Sequence, residues 1–292
     1  MQNSALLSLV AAGLSFAQAP PLDPAKIIPY PVVADIDFAE GPTFDSKGNL
    51  YFVNYLRNGT IGRKTTDGTV SLWVDLGKGR ANGLKADAQD RILASDIQAG
   101  RVLRIGQDRK IEVLADSYEG KPLLGPNDLC LDRAGNIYIT DPHGSGAQKP
   151  IGAIYRISTA GKLTRVAEGL AYPNGIAISA DQKRLYTTES GHTRVLVFDL
   201  SPEGTLSNKR VFHQFEGGGV DGIDFDEYGR LWVTRWTGKT VDVLAPDGSM
   251  VASIPAGGDR VTNLTWWGKQ LYLTVAGQHS IHRLDVGVGK QP

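Results

Sequence analysis

Cysteine is almost absent: one residue, Cys130, stands in a chain of 292. No internal disulfide is available, and a thiolate-rich zinc centre is excluded. In "DLCLD" the alternation places Cys130 inside a strand between two leucines, where cysteine acts as a small hydrophobe. Neither sign of charge is in excess, since 31 basic residues balance 31 acidic ones, so there is no electrostatic basis for a nucleic-acid partner. After the N-terminus no apolar run approaches the ~20 residues of a membrane helix, and no membrane partner is expected. Nothing in the composition sets an oligomeric state.

Glycine, by contrast, is abundant. Its 35 residues recur beside Asp and Asn rather than in low-complexity tracts, which signals many tight turns. With 41% hydrophobic residues, the chain can build one large β domain. The N-terminal "MQNSALLSLVAAGLSFAQA" combines an apolar run with the small-x-small triplet Ala17-Gln18-Ala19. It reads as a secretory signal over residues 1–19, although no Lys or Arg precedes the run. Export to the periplasm or medium follows as an expectation. The Pro-rich residues 20–30 read as a linker, and residues 31–292 as a single domain.

Six segments of that domain align with one another: "AEGPTFDSKGNLYFVN", "ANGLKADAQDRILASD", "PNDLCLDRAGNIYITD", "PNGIAISADQKRLYTTES", "VDGIDFDEYGRLWVTR" and "VTNLTWWGKQLYLTVA". Each opens on a polar anchor, in turn Glu40, Asn82, Asn127, Asn174, Asp221 and Asn263, and these lie 42 to 47 residues apart. Within each, an alternating run, a polar turn and a second strand form a hairpin, and further β-rich pieces follow. Four strands in a repeat of this length make a propeller blade. The fold class is therefore all-β, a six-bladed β-propeller of four-stranded blades. The sixth repeat is one strand short, and residues near 31–37 are expected to pair with residues near 280–286 to close the ring.

In a blade the first strand lines the axis, so the six anchors should gather at one end of it. The second strand returns to that end, bringing Asn54, Asp96, Asp141, His143, Glu189, His192, Arg235, Trp236 and His279 with it. Two carboxylates and four amides crowded together raise each other's cost of burial. A divalent cation relieves that cost, and all-oxygen ligation favours Ca²⁺ or Mg²⁺ over Zn²⁺ or Mn²⁺. Glutamate is no turn former, so Glu40 is not explained by strand entry alone. Which four anchors bind is not fixed by spacing. Asp128 is assigned only a turn cap, and Trp73, Trp266 and Trp267 are assigned to blade packing.

"EGPTFD", "GPNDLCLDRAGNIYITDP", "YPNGIAIS" and "VDGIDFDEYGRLWV" together resemble the diagnostic segments of the gluconolactonase, senescence marker protein (regucalcin) and luciferin-regenerating enzyme family. The likeness spans nearly the whole chain after the leader. It implies a metal held by Glu40, Asn127, Asn174 and Asp221, with Asn127 able to serve a metal-bound water or the substrate instead. It implies hydrolysis of a small-molecule lactone or related ester. The animal members' arginine two positions before the third-repeat Asn is replaced here by Gly125, which makes their substrate a poor guide.

The resulting expectation is a gluconolactonase-like lactonase in which Asp221 activates water at an axial divalent cation. Asn82, His143, Arg235, Trp236 and Asn263 are the candidate substrate-binding residues. Two alternatives stand beside it: the same ring acting on another ester or a phosphotriester, and a non-enzymatic propeller that binds ligands across its open face.

Overall fold

The computed structural model describes residues 19–292. Apart from Ala19, the expected leader lies outside the described residues. Six four-stranded antiparallel sheets make up the ring, beside one short hairpin of Ser117–Tyr118 and Lys121–Pro122. Their innermost strands are Ile36–Phe44, Ala81–Ala86, Leu129–Leu131, Pro173–Ile178, Ile223–Phe225 and Val261–Trp267. Each packs beside the next around a common axis, and the sixth packs against the first. This is a six-bladed propeller.

The ring closes through the N-terminal segment, as the short sixth repeat requires. Tyr30–Val33 adds the outer strand to blade six, pairing Tyr30 with Arg283, Pro31 with His282 and Val33 with Ile281. The exchange is shorter than expected at one end, because Ile36 and Asp37 already belong to the innermost strand of blade one. Residues 20–30 are not a free linker. Ile27 is buried in the cluster shared by blades five and six, and the Arg230 guanidinium donates to the Pro20 carbonyl at 3.0 Å.

Alternation along each strand sends apolar residues to both faces of a blade, and neighbouring blades bury them together. Tyr51 and Trp73 of blade one pack with Leu84 and Leu103 of blade two. Similar clusters fill the four following interfaces. The sixth joins Val33 and Ile281 of blade six to Ile36, Leu50 and Phe52 of blade one. Trp73 and Trp266 are buried as expected, whereas Trp267 is 39% exposed and stacks on Phe44 at 5.2 Å. Cys130 lies buried within Leu129–Leu131.

Glycine follows four of the six anchors, at Gly41, Gly83, Gly175 and Gly222. A Cβ at any of them would overlap the next blade: Asn82 for Gly41, Asn127 and Asp128 for Gly83, Asp221 for Gly175, and Asn263 for Gly222. Freed of side chains, the strands approach closely enough to hydrogen bond between blades. The Gly83 N–H donates to the Asn127 carbonyl at 2.7 Å, and the Gly222 N–H to the Thr262 carbonyl at 2.8 Å. Threonines add further ties, with Thr140 donating to the Asn174 carbonyl, Thr188 to that of Asp221 and Thr262 to that of Ala39. The anchors thus belong to a contracted, hydrogen-bonded ring.

Candidate functional site

At one end of the axis lies a cavity of about 360 Å³. Its floor is formed by Glu40, Asn82, Asn127, Asn174 and Asp221, and its wall includes Phe38, Arg80, Tyr172, Ser190, Gly219 and Trp236. Glu40 and Asp221 are 3% and 6% exposed. The Asn82 amide donates to Glu40 Oε1 at 3.4 Å and to Asn127 Oδ1 at 3.2 Å, while Glu40 Oε2 accepts from the Gly41 N–H at 2.9 Å. Asn174 Oδ1 and Asp221 Oδ1 are buried without any partner.

That arrangement is electrostatically incomplete. Burial pushes Glu40 up to about 8, and nearby Asp128 adds to the shift against the pull of the Gly41 N–H and the Asn263 and Asn82 amides. Asp221 is raised well above the usual carboxylate range by burial, then by Glu40 and Asp128. Two facing carboxylates and two orphaned amide and carboxylate oxygens form a donor set that a hard cation satisfies. Among the described residues no three His, Cys, Asp or Glu side chains come together, so the donors are mixed carboxylate and amide oxygens.

Asn263 departs from its expected place. It does not line the cavity; its amide donates to Asp128 Oδ2 at 3.3 Å, one layer deeper. Asp128 occupies the position after the anchor, where four other blades carry glycine, and its carboxylate reaches inward. It is more than a turn cap: burial raises it, and Lys85 draws it back. Lys85 in turn sits 3.7 Å from Asp224. A larger cavity of about 640 Å³ opens at the opposite end, lined by Lys85, Asp224 and Lys290 among others, and its central charges are paired with one another.

Arg235, expected to bind substrate, does not line the cavity. It is 8% exposed, and its guanidinium donates to Asp242 Oδ2, to the Gly217 carbonyl and, at 2.9 Å, to the Gly219 carbonyl. Phe215 lies under it at 3.9 Å. Burial next to an available carboxylate fixed it within blade five, which "TRW" alone does not reveal. His143 is exposed on the loop after Asp141 and does not line the cavity. Trp236 does line it, and lies 6.0 Å from Phe38.

The other residues at the ends of the second strands share a role that spacing did not disclose. Asn54 Nδ2 donates to the Phe38 carbonyl, and Asp96 Oδ1 accepts from the Arg80 N–H. Asp141 accepts from the Leu124 and Gly125 N–H groups, and Glu189 accepts from the Ala171 N–H beside Tyr172. Each clamps the main chain just before an anchor. The wall residues at or beside these clamps, Phe38, Arg80 and Tyr172, together with Gly219, whose carbonyl Arg235 holds, lie two positions before Glu40, Asn82, Asn174 and Asp221. Period-two alternation was the available signal: a residue two before an axial anchor faces the same way, one layer higher. Tyr172 also stands in the left-handed region, at φ 60°, with burial and the Asp221 and Glu40 carboxylates opposing its ionisation and Arg80 favouring it.

Residues 38–277 match the SMP-30/Gluconolactonase/LRE-like region. The chain is 25% identical over 285 residues to a gluconolactonase of Zymomonas mobilis, covering 87% of this chain and 80% of that one. It is 32% identical over 245 residues to the diisopropyl-fluorophosphatase of Loligo vulgaris, covering 74% and 78%. Among solved structures, a gluconolactonase of Xanthomonas campestris superposes with a TM-score of 0.79 at 26% identity, covering 90% of each chain. With its axial carboxylate and amide ring and a match across most of its length, the chain belongs to the SMP-30/gluconolactonase/LRE-like family.

Proposed function

We propose that the protein is a metal-dependent lactonase that hydrolyses a small sugar lactone at the axial ring. One observation carries the reading. Two buried carboxylates, Glu40 and Asp221, meet the unpartnered oxygens of Asn174 and Asp221 on the floor of a cavity large enough for a single sugar ring. Relatives named as gluconolactonases support the choice of a lactone.

Glu40, Asn127, Asn174 and Asp221 would hold a divalent cation, Ca²⁺ or Mg²⁺ by the hardness of the donors. Such an ion supplies Lewis-acid polarisation of the lactone carbonyl, worth several kcal/mol at the transition state. Asp221 accepts a proton from the attacking water, a transfer that needs the short range its floor position gives. The water oxygen bonds to the carbonyl carbon, the ring C–O bond breaks, and the leaving alkoxide takes up the proton that Asp221 accepted from the water. Cation binding would ionise Glu40, which holds the floor with the Gly41 N–H and the Asn82 amide bound to its two oxygens. Asn82 also steers the Asn127 oxygen. Trp236 and Phe38 present flat apolar surface to the C–H face of the ring. The apolar run before residue 20 supports export of this activity from the cytoplasm, which N-terminal sequencing of the mature protein checks.

A second reading, hydrolysis of a phosphotriester at the same ring, draws on the fluorophosphatase relative, because the metal chemistry is shared and only the wall differs. One panel separates the two. γ- and δ-sugar lactones, homoserine lactones and a chromogenic phosphotriester are assayed after chelation and re-addition of Ca²⁺, Mg²⁺, Mn²⁺ or Zn²⁺. Full activity without any divalent ion, or turnover of the triester alone, refutes the lactonase reading.

A further inference from the structure

We propose that Arg80 selects the substrate, pairing with a carboxylate that the lactone carries outside its ring ester, so that the preferred substrates are monolactones of sugar diacids. This rests on the lactonase reading and narrows its substrate class. Arg80 lines the cavity two residues before Asn82. Its main chain is fixed on both sides: the N–H donates to Asp96 Oδ1 at 2.8 Å, and the carbonyl accepts from the Ile97 N–H at 3.0 Å.

The guanidinium itself has neither an acceptor nor a carboxylate partner among the described residues. Three other arginines on blades two, four and five are all paired, Arg101 with Asp96, Arg194 with Glu189 and Arg235 with Asp242. Asp96 is within reach of Arg80 in the chain, yet Arg101 Nε takes its Oδ2 at 2.9 Å. A half-buried cation without a counter-charge is a recognition element awaiting an anion, and a planar fork suits a carboxylate in particular.

The charge balance of the site points the same way. A divalent cation held by the floor would neutralise Glu40 and Asp221 together, and Asp128 faces Lys85. What remains is the single positive charge of Arg80 on the wall. Phe38 and Trp236 provide an apolar wall elsewhere in the cavity. A ligand with a sugar ring for the aromatic side, an ester carbonyl for the floor and a separate carboxylate for Arg80 uses all three.

The test uses the γ-lactones of D-glucaric and D-gluconic acid, a pair that differs in whether the terminal carbon is a carboxylate or a hydroxymethyl group. Wild-type kcat/KM is expected to favour the acid lactone about tenfold or more, the scale of one charge-assisted pair. Arg80→Met should raise KM about tenfold more for the acid lactone than for the neutral one, and Arg80→Lys should restore part of the difference. Absence of a wild-type preference, or an equal KM rise on both lactones, overturns the proposal while leaving the lactonase reading intact. Should neither lactone of this pair be turned over, the role of Arg80 is read from binding alone. Calorimetric binding of D-glucarate against D-gluconate then decides: selective diacid binding that Arg80→Met abolishes supports the role of Arg80, and equal binding refutes it.

Discussion

Cation binding at the axial ring should release protons, and their number follows from the burial of its carboxylates. Burial holds Glu40 at about 8 in the cation-free protein, against 4.5 when solvated. At pH 7 such a group is roughly nine-tenths protonated. A cation requires it ionised, so each ion bound expels roughly 0.9 proton from Glu40 alone near pH 7. Asp221, raised well above its usual range, adds to that number, for a total between about one and two. The sign for stability is fixed as well. The folded state binds more protons than the unfolded state between pH 4.5 and about 8, so cation-free protein loses stability as pH rises through that window. The loss from Glu40 alone is on the order of 5 kcal/mol. Titration calorimetry at pH 7 in Pipes and in Tris gives the proton count from the difference in apparent enthalpy, and thermal scans with and without chelator follow the stability. Proton release near zero, or cation-free protein that is as stable at pH 8 as at pH 5, refutes the assignment of this ring as the cation site.

Asp221→Asn is expected to lower turnover by about 10²–10⁴, the range for loss of a general base. It should also raise the melting temperature of chelated protein at pH 8, because it removes a carboxylate that faces Glu40; scanning fluorimetry and lactone assay check both. Arg235→Met should cost about 3 kcal/mol or more in urea unfolding, since it leaves buried Asp242 without its partner. Gly175→Ala should weaken cation affinity in calorimetry, because the new Cβ displaces Asp221. Gly68→Ala, at an open turn with φ +92°, should cost about 1 kcal/mol and leave affinity unchanged. Removal of residues 19–33 should lower the urea midpoint sharply, as it strips the outer strand from blade six and Ile27 and Val33 from the core; an unchanged midpoint would contradict the closure.

The repeat was legible because two periodicities coincide in it: alternation within each strand, and a polar residue at each return to the axis. Glu40 stood out as a residue with no reason to begin a turn. The N-terminal closure followed from counting strands, although the count could not tell that Ile36 and Asp37 were already taken by blade one. What spacing could not resolve was depth. Asn263 shares its repeat position with Asn174, yet lies beneath the cavity because Asp128 offers it an acceptor there. Of two arginines near the axial end, Arg235 was a candidate from its repeat position and Arg80 was not singled out. Asp242 claimed the first, and nothing claimed the second.

The fastening of the cavity wall has a consequence for how this site can change. Asn54, Asp96, Asp141, Glu189 and Arg235 grip backbone groups, not side chains, at or beside the wall positions. A substitution at Phe38, Arg80 or Tyr172 therefore leaves its own mooring intact. The floor two residues further on is moored separately, by threonine hydroxyls and by glycines that let the blades meet. Under the proposed function, chemistry and selectivity would be written on different rungs of the same six ladders. A site built this way can exchange its wall a single side chain at a time, without dismantling the carboxylate and amide floor beneath.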